Sequence, residues 1–203
     1  VTIPEYDEIV IVNKDKDGTN ITQSSLPSDT RLKEKFRKEL DPERNELFFA
    51  KQILIVEGDT EKLAFPEYSK RLNLDFDKVG SSIIEVSGKR NIPDFVDLAL
   101  SFKIPVGIVF DIDSFDFKDK NDEAKFNERL NSYGKKGVMV WSFTKNYEDE
   151  LRKTFGEKMY QKFCQKYSGI NSKAIRARLF ASDEEISIPD FVVPIIKWLA
   201  REN

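Results

Sequence analysis

Short apolar runs alternate with longer amphipathic stretches from residue 52 onwards, and this alternation is the main structural signal in the chain. Four of the runs are rich in β-branched residues and too short for buried helices, which predicts β-strands at residues 53–56, 82–86, 106–110 and 138–141. Helical periodicity separates them at residues 60–72, 92–102 and 121–132. This order predicts an α/β fold with a four-stranded, mostly parallel sheet flanked by helices.

The pattern differs on both sides of this core. Residues 8–22 predict a β-hairpin with an Asp-Gly turn, and residues 30–40 and 42–50 predict two charged helices. After Ser142 the periodicity is helical throughout, at residues 146–154, 157–167, 171–182 and 189–201. We therefore divide the chain into a connector of hairpin and helices (1–50), an α/β core (51–145) and a C-terminal helical region (146–203).

Two residue types restrict the chemistry. The 203 residues include no histidine and a single cysteine, Cys164, which excludes histidine-based catalysis, a disulfide framework and a cysteine-rich zinc site. No signal peptide, membrane-length apolar run or P-loop motif is present in the sequence. We expect a cytoplasmic protein without membrane contact, and a chain that does not itself bind ATP.

Acidic residues collect where the predicted strands end. Glu57 follows the first strand directly, and Glu61 lies in the first turn of the next helix. Asp111 and Asp113 follow the third strand, and residues i and i+2 of an extended segment project to the same side. The carboxyl ends of parallel strands border the crevice in which such sheets bind ligands. Because converging carboxylates repel each other, one or two divalent cations, Mg²⁺ or Mn²⁺, are the simplest partners.

The run Glu57-Gly58-Asp59-Thr60-Glu61, followed by Asp111-Ile112-Asp113, resembles the Toprim domain shared by topoisomerases, bacterial primases and the OLD (overcoming lysogenization defect) nucleases. Three further segments are similar to the OLD branch, namely residues 43–51, 88–92 and 173–178. The resemblance covers roughly residues 40–182. It implies a Toprim-type fold and a C-terminal part of a longer polypeptide, in which an ABC-type ATPase domain precedes the Toprim domain.

The resemblance also implies an activity, the metal-dependent cleavage of DNA by two divalent cations. Glu57, Asp111 and Asp113 are then expected around one cation, and Glu61 with Glu148 around the other. Lys173 is expected as a catalytic residue, either as a partner of the catalytic base or as a group that stabilises the transition state. For Glu148 and Lys173 the alternatives are an ordinary acidic residue in a first helical turn and an ordinary surface lysine.

Candidate DNA-binding residues are basic. The net charge is -3, but residues 145–178 hold nine Lys or Arg against four Asp or Glu. Lys89 follows a glycine before a predicted helix, and the others are helical: Lys158, Lys162, Lys166 and Arg176. They are expected to contact phosphates. A solvated helix face accounts for the three lysines at i, i+4 spacing equally well.

Other interpretations stay open. The chain is alternatively the Toprim domain of a topoisomerase or primase, although no tyrosine stands in a recognisable nucleophile context. A covalent protein–DNA adduct would favour the topoisomerase. A non-catalytic metal-binding assembly module is the other alternative. The sequence also leaves open whether copies of the chain form a homo-oligomer.

Overall fold

The computed structural model describes residues 5–16, 18–113 and 118–201. The N-terminal segment begins with an antiparallel hairpin of β1 (Val10–Asp15) and β2 (Gly18–Gln23). Helix α1 (Thr30–Glu39) follows, with the Asp29 side chain capping its first turn. The helix expected at residues 42–50 is a shorter 3₁₀ helix, Arg44–Phe48. Here Arg44 is tied to carbonyl groups of Glu39 and Glu85, so tertiary contacts fix the segment.

The four strands predicted from the apolar runs form one sheet. They are β3 (Gln52–Val56), β4 (Ser81–Glu85), β5 (Val106–Asp111) and β6 (Met139–Phe143). Their spatial order is β4-β3-β5-β6, and each neighbouring pair is parallel. The α/β fold class expected from the alternating pattern is therefore confirmed.

Helices follow the strands as the periodicity predicted. Within the core they are α2 (Asp59–Arg71), α4 (Ile92–Ser101) and α5 (Lys120–Ser132). A short helix that the sequence did not predict, α3 (Phe76–Val79), lies between α2 and β4. The C-terminal region adds α6 (Tyr147–Phe155), α7 (Glu157–Lys166), α8 (Lys173–Ser182) and α9 (Val193–Leu199). In the described part of the chain, no helix has the length and apolar character needed to cross a membrane.

Each face of the sheet is covered by a separate apolar core. One core joins Ile53, Ile55 and Ile108 of the sheet to α4 and to the N-terminal segment. The other joins Leu54 and Val56 to α2 and the C-terminal helices. The alternation of side chains along a strand assigns these neighbours to opposite faces. The two flanking regions thus complete the layers on either side of the sheet.

The sheet changes winding direction at its centre. Helix α2, which follows β3, packs into one core through Phe65, whereas α5, which precedes β6, packs into the other through Leu130. Strands β3 and β5 are direct neighbours. A crevice opens beyond the carboxyl ends of adjacent strands whose helices leave to opposite faces. Glu57 and Asp111 border this crevice.

Candidate functional site

The ends of the two central strands are joined by a hydrogen bond. The backbone N–H of Asp111 donates to Glu57 Oε1 over 2.7 Å. The carbonyl of Glu57 in turn accepts a 2.8 Å bond from the N–H of Gly88, in the turn after β4. The sequence prediction that Glu57 and Asp111 lie together is therefore matched by the geometry.

Glu61 lies in the first turn of α2 and is only 7% exposed. Burial raises the pKa of its carboxyl group to about 8, with further raising contributions from the charges of Asp111, Glu57 and Glu148 and an opposing backbone hydrogen bond. The charges of acidic residues that follow β3, end β5 and lie in α6 therefore act on the Glu61 carboxyl group. A group with this pKa is largely protonated at neutral pH until a cation compensates its charge.

Asp111 shows the same behaviour with nearby lysines added. Burial raises the pKa of its carboxyl group to about 7, the charge of Lys173 opposes this, and Glu148 raises the pKa again. The ammonium group of Lys89 also lowers it. Charged groups of both the α/β core and the C-terminal helices therefore act on the carboxyl group of Asp111.

The C-terminal helices supply Glu148 and Lys173. Glu148 lies in the first turn of α6, Lys173 begins α8, and Lys173 Nζ lies 2.9 Å from Glu148 Oε2. The other carboxylate oxygen of Glu148, Oε1, is buried and has no hydrogen-bond partner among the residues that the structure describes. Arg176 lines the same small cavity as Glu148 and Lys173. The structure therefore brings all three sequence-predicted residues to one place.

Asp113 lies outside this buried group. Its side chain is 44% exposed and pairs with Lys120, whose hydrogen bond holds the pKa of Asp113 below its usual range. The ammonium of Lys120 also lies 3.0 Å from Glu123 Oε2. The assignment of Asp113 as a metal ligand stays a prediction.

The predicted DNA-binding residues separate into three situations. Arg176 lies beside Glu148 and Lys173, whereas Lys162 and Lys166 of α7 line a different cavity of about 460 Å³ with Phe163 and Ile186 in its wall. Lys166 is paired there with Asp183 at 2.9 Å. A DNA contact by Lys158, Lys162 and Lys166 stays a prediction. For Lys89 it is wrong, because the side chain is 0% exposed and has no surface for a phosphate.

The donor set fits divalent cations in its chemistry. Carboxylate oxygens are the ligands that Mg²⁺ and Mn²⁺ prefer, and the unpartnered Glu148 Oε1 and the raised pKa values of Glu61 and Asp111 leave room for a positive charge. Among the described residues, no three acidic or thiol side chains already converge in a metal-binding arrangement. The acidic residues offer the oxygen ligands that a divalent cation prefers, but the side chains that the structure describes do not surround a common ion position.

Sequence reasoning missed two buried polar residues of α5, Glu123 and Asn127. Glu123 lies 3.5 Å from the ammonium of Lys89, and the Asn127 amide donates to the carbonyl of Ile112 over 3.0 Å. Their i, i+4 spacing puts them on one helix face. In the sequence that face is indistinguishable from a solvated one, so no signal could have identified them.

A parallel sheet in the order β4-β3-β5-β6, with acids at the ends of its two central strands, defines a Toprim-type α/β domain. Residues 48–113 match the family described as "Overcoming lysogenization defect protein-like, TOPRIM domain". This segment is therefore similar to the OLD-like Toprim domains, in agreement with the sequence resemblance. Glu57, Glu61, Asp111 and Asp113 lie within it.

The chain is also similar to a curated protein and to solved structures. The chain is 26% identical over 127 residues to the OLD nuclease of Thermus scotoductus, an alignment that covers 60% of this chain and 24% of that protein. The chain thus matches about a quarter of the relative's length. Among solved structures, the C-terminal region of the Burkholderia pseudomallei OLD protein is 16% identical with a TM-score of 0.49, covering 75% of this chain and 98% of that one. The corresponding region from Xanthomonas campestris pv. campestris is 19% identical with a TM-score of 0.47, covering 76% and 96%.

Proposed function

We propose that the chain is the nuclease part of a longer OLD-family protein and hydrolyses phosphodiester bonds of DNA with the help of divalent cations. The observation that supports this most directly is the hydrogen bond that joins Glu57 to Asp111 at the crevice. The charges of Glu57, Asp111 and Glu148 also act on the buried Glu61. The name of the relative from Thermus scotoductus, "OLD nuclease", agrees with this activity.

The acids are the proposed ligands of two cations, Mg²⁺ or Mn²⁺. Glu57, Asp111 and Asp113 are assigned to one cation, and Glu61 and Glu148 to the other. A bound pair of cations would activate a water molecule and stabilise the attacking and leaving oxygens of the phosphate. The protein side chains supply the negative charge that holds the cations, and burial strengthens this electrostatic attraction.

Lys173 is proposed to act on the substrate. Its side chain is 57% exposed, so its ammonium group can reach a phosphate while remaining next to Glu148. A positive charge at this place compensates the negative charge that develops on the phosphate during cleavage. Arg176, one turn further along α8, and the α7 lysines are proposed to bind the DNA backbone.

The test is nicking of a supercoiled plasmid by the 203-residue chain while Mg²⁺ or Mn²⁺ is titrated. Glu57→Gln, Asp111→Asn and Lys173→Met are each expected to reduce the rate by about a hundredfold or more, because each removes charge from the reacting centre. Asp77→Asn is a matched control, since Asp77 is an exposed member of another Asp-x-Asp pair, at residues 75 and 77. Cleavage that persists in both acid variants would refute the site.

The same assay separates the alternatives. A covalent protein–DNA adduct on a denaturing gel would indicate a topoisomerase instead of a nuclease. Metal binding without cleavage, in this chain and in a full-length protein, would indicate an assembly module. We propose that an ABC-type ATPase domain precedes this region in the full-length protein, as the family resemblance implies.

A further inference from the structure

Lys89 is a fully buried lysine beside the proposed active site. It lies in the short 3₁₀ helix after β4, and its side chain extends past β3 to the end of β5. Its ammonium group donates to the carbonyl of Asp111 over 2.5 Å and to that of Ile112 over 3.2 Å, and it lies 3.5 Å from Glu123 Oε1. A buried ammonium group is costly unless bonds of this kind compensate it, so its position is closely defined.

The backbone of residues 111 and 112 is held at all four of its polar groups. The N–H of Asp111 donates to Glu57, and the N–H of Ile112 donates to the carbonyl of Phe143 over 3.0 Å. The carbonyl of Asp111 accepts from Lys89, and that of Ile112 accepts from both Lys89 and Asn127. These bonds to protein groups restrict the backbone that carries the Asp111 side chain.

The partners of this segment come from separate elements. Glu57 follows β3, Lys89 follows β4, Phe143 ends β6, and Asn127 belongs to α5. The bond from Lys89 to Asp111 goes to the main-chain carbonyl, so it uses none of the carboxylate's lone pairs. It therefore orients the residue without occupying the oxygens that would bind a cation.

We propose that Lys89, supported by Glu123 and Asn127, is a positioning residue that holds the backbone of residues 111 and 112 and thereby sets the affinity of the site for divalent cations. It does not contact DNA. The inference rests on the proposed metal-dependent function and deepens it. It predicts that loss of the Lys89 bonds weakens cation binding and leaves DNA binding unchanged.

The test measures Mn²⁺ affinity directly, by isothermal titration of the 203-residue chain without DNA. The double variant Lys89→Met/Glu123→Gln removes both members of the buried ion pair, a replacement that proteins tolerate better than loss of one partner. We expect its dissociation constant for Mn²⁺ to rise about tenfold or more, as is typical when a residue that orients a metal ligand is removed. Asn127→Ala removes one of the two bonds to Ile112 and is expected to have a smaller effect in the same direction.

Two further measurements distinguish positioning from other roles. Phe102→Leu, in the apolar core on the same sheet face, lowers stability without touching a polar group and should keep wild-type Mn²⁺ affinity. In plasmid nicking at saturating Mn²⁺, the KM for DNA and its salt dependence should stay unchanged in the Lys89 and Asn127 variants. A raised KM with unchanged Mn²⁺ affinity would instead make Lys89 a DNA contact.

The outcomes also separate this inference from the proposed function. If the wild-type chain binds no Mn²⁺, the metal-dependent function fails and the positioning role fails with it. If the wild type binds Mn²⁺ and folded variants bind it equally well, only the positioning role is overturned. Should the double variant fail to fold, Asn127→Ala alone decides, since unchanged affinity in that folded variant contradicts the proposal.

Discussion

Glu61 and Asp111 have pKa values near neutrality because the fold buries them beside other acids. The pKa of Glu61 is raised to about 8 and that of Asp111 to about 7, in both cases mainly by burial. A carboxyl group of this kind binds its proton more tightly in the folded chain than in the unfolded chain. Its stabilising effect is therefore present at low pH and disappears as the pH rises through the folded-state pKa.

This gives a pH dependence for the metal-free protein. In EDTA, we expect the melting temperature to fall as the pH is raised from about 5.5 to about 8, a window set by the raised pKa values of Glu61 and Asp111. The chain has no histidine, whose titration would otherwise overlap this window. Mn²⁺ should reverse the fall, because it binds the ionised carboxylates.

Thermal unfolding at several pH values checks this prediction. Glu61→Gln should flatten the slope in EDTA and lose part of the Mn²⁺ stabilisation, whereas Glu184→Gln, at an exposed glutamate, should reproduce the wild-type curve. A melting temperature that is constant or rises over this range in EDTA would contradict the burial of Glu61 among acids.

At the scale of elements, the alternation of apolar and polar residues predicted the strands and most of the helices, whose formation depends mainly on local sequence. All four strands and the helices α2, α4 and α5 lie close to where periodicity placed them, because side-chain alternation is decided within a few residues. The short helix α3 was not predicted. The proximity of Glu57 and Asp111 could be predicted because strand ends are visible in the sequence. The burial of Lys89 could not be predicted, because it depends on contacts with α5. The pairing of Asp113 with Lys120 likewise arises only in the folded chain.

Helix α9 (Val193–Leu199) is shorter than the helix predicted at residues 189–201. Its close packing against the sheet depends on a glycine in β5. A Cβ atom added at Gly107 in β5 would lie 2.6 Å from Trp198 Cζ3 and 2.9 Å from Trp141 Cζ3. Trp198 and Trp141 pack edge to face, with ring centroids 5.5 Å apart. The absence of a side chain at Gly107 thus permits the contact between α9 and the sheet.

Gly107→Ala is therefore expected to destabilise the chain by about 1–3 kcal/mol, the usual cost of overpacking a core. Urea unfolding monitored by circular dichroism measures the change. Gly134→Ala is the matched control, because a Cβ there meets no atom within 4 Å, and its effect should stay within about 0.5 kcal/mol. Equal effects of the two substitutions would mean that the tryptophan contact does not constrain β5.

At the scale of the whole molecule, the N-terminal segment packs into a core that it shares with the sheet, across the boundary that the sequence pattern places at residue 50. Tyr6, Phe36 and Leu47 are buried in the same core as Phe95 of α4. The rings of Phe36 and Phe95 meet edge to face with centroids 5.6 Å apart. A segment that fills one face of the sheet is expected to unfold together with it, although the sequence pattern alone indicated a connector.

Phe36→Ala tests this cooperativity in the full 203-residue chain. Trp141 and Trp198, the only tryptophans, lie on the opposite face of the sheet, so their fluorescence reports a region that Phe36 does not touch. If the segment and the sheet form one unit, the substitution should lower the unfolding free energy by about 3–5 kcal/mol and shift fluorescence and circular dichroism midpoints equally. Phe49→Ala, at a phenylalanine of the same segment that is 87% exposed, should leave both midpoints nearly unchanged. A fluorescence midpoint that stays in place while the circular dichroism transition splits would show instead that residues 1–50 unfold independently of the Toprim sheet.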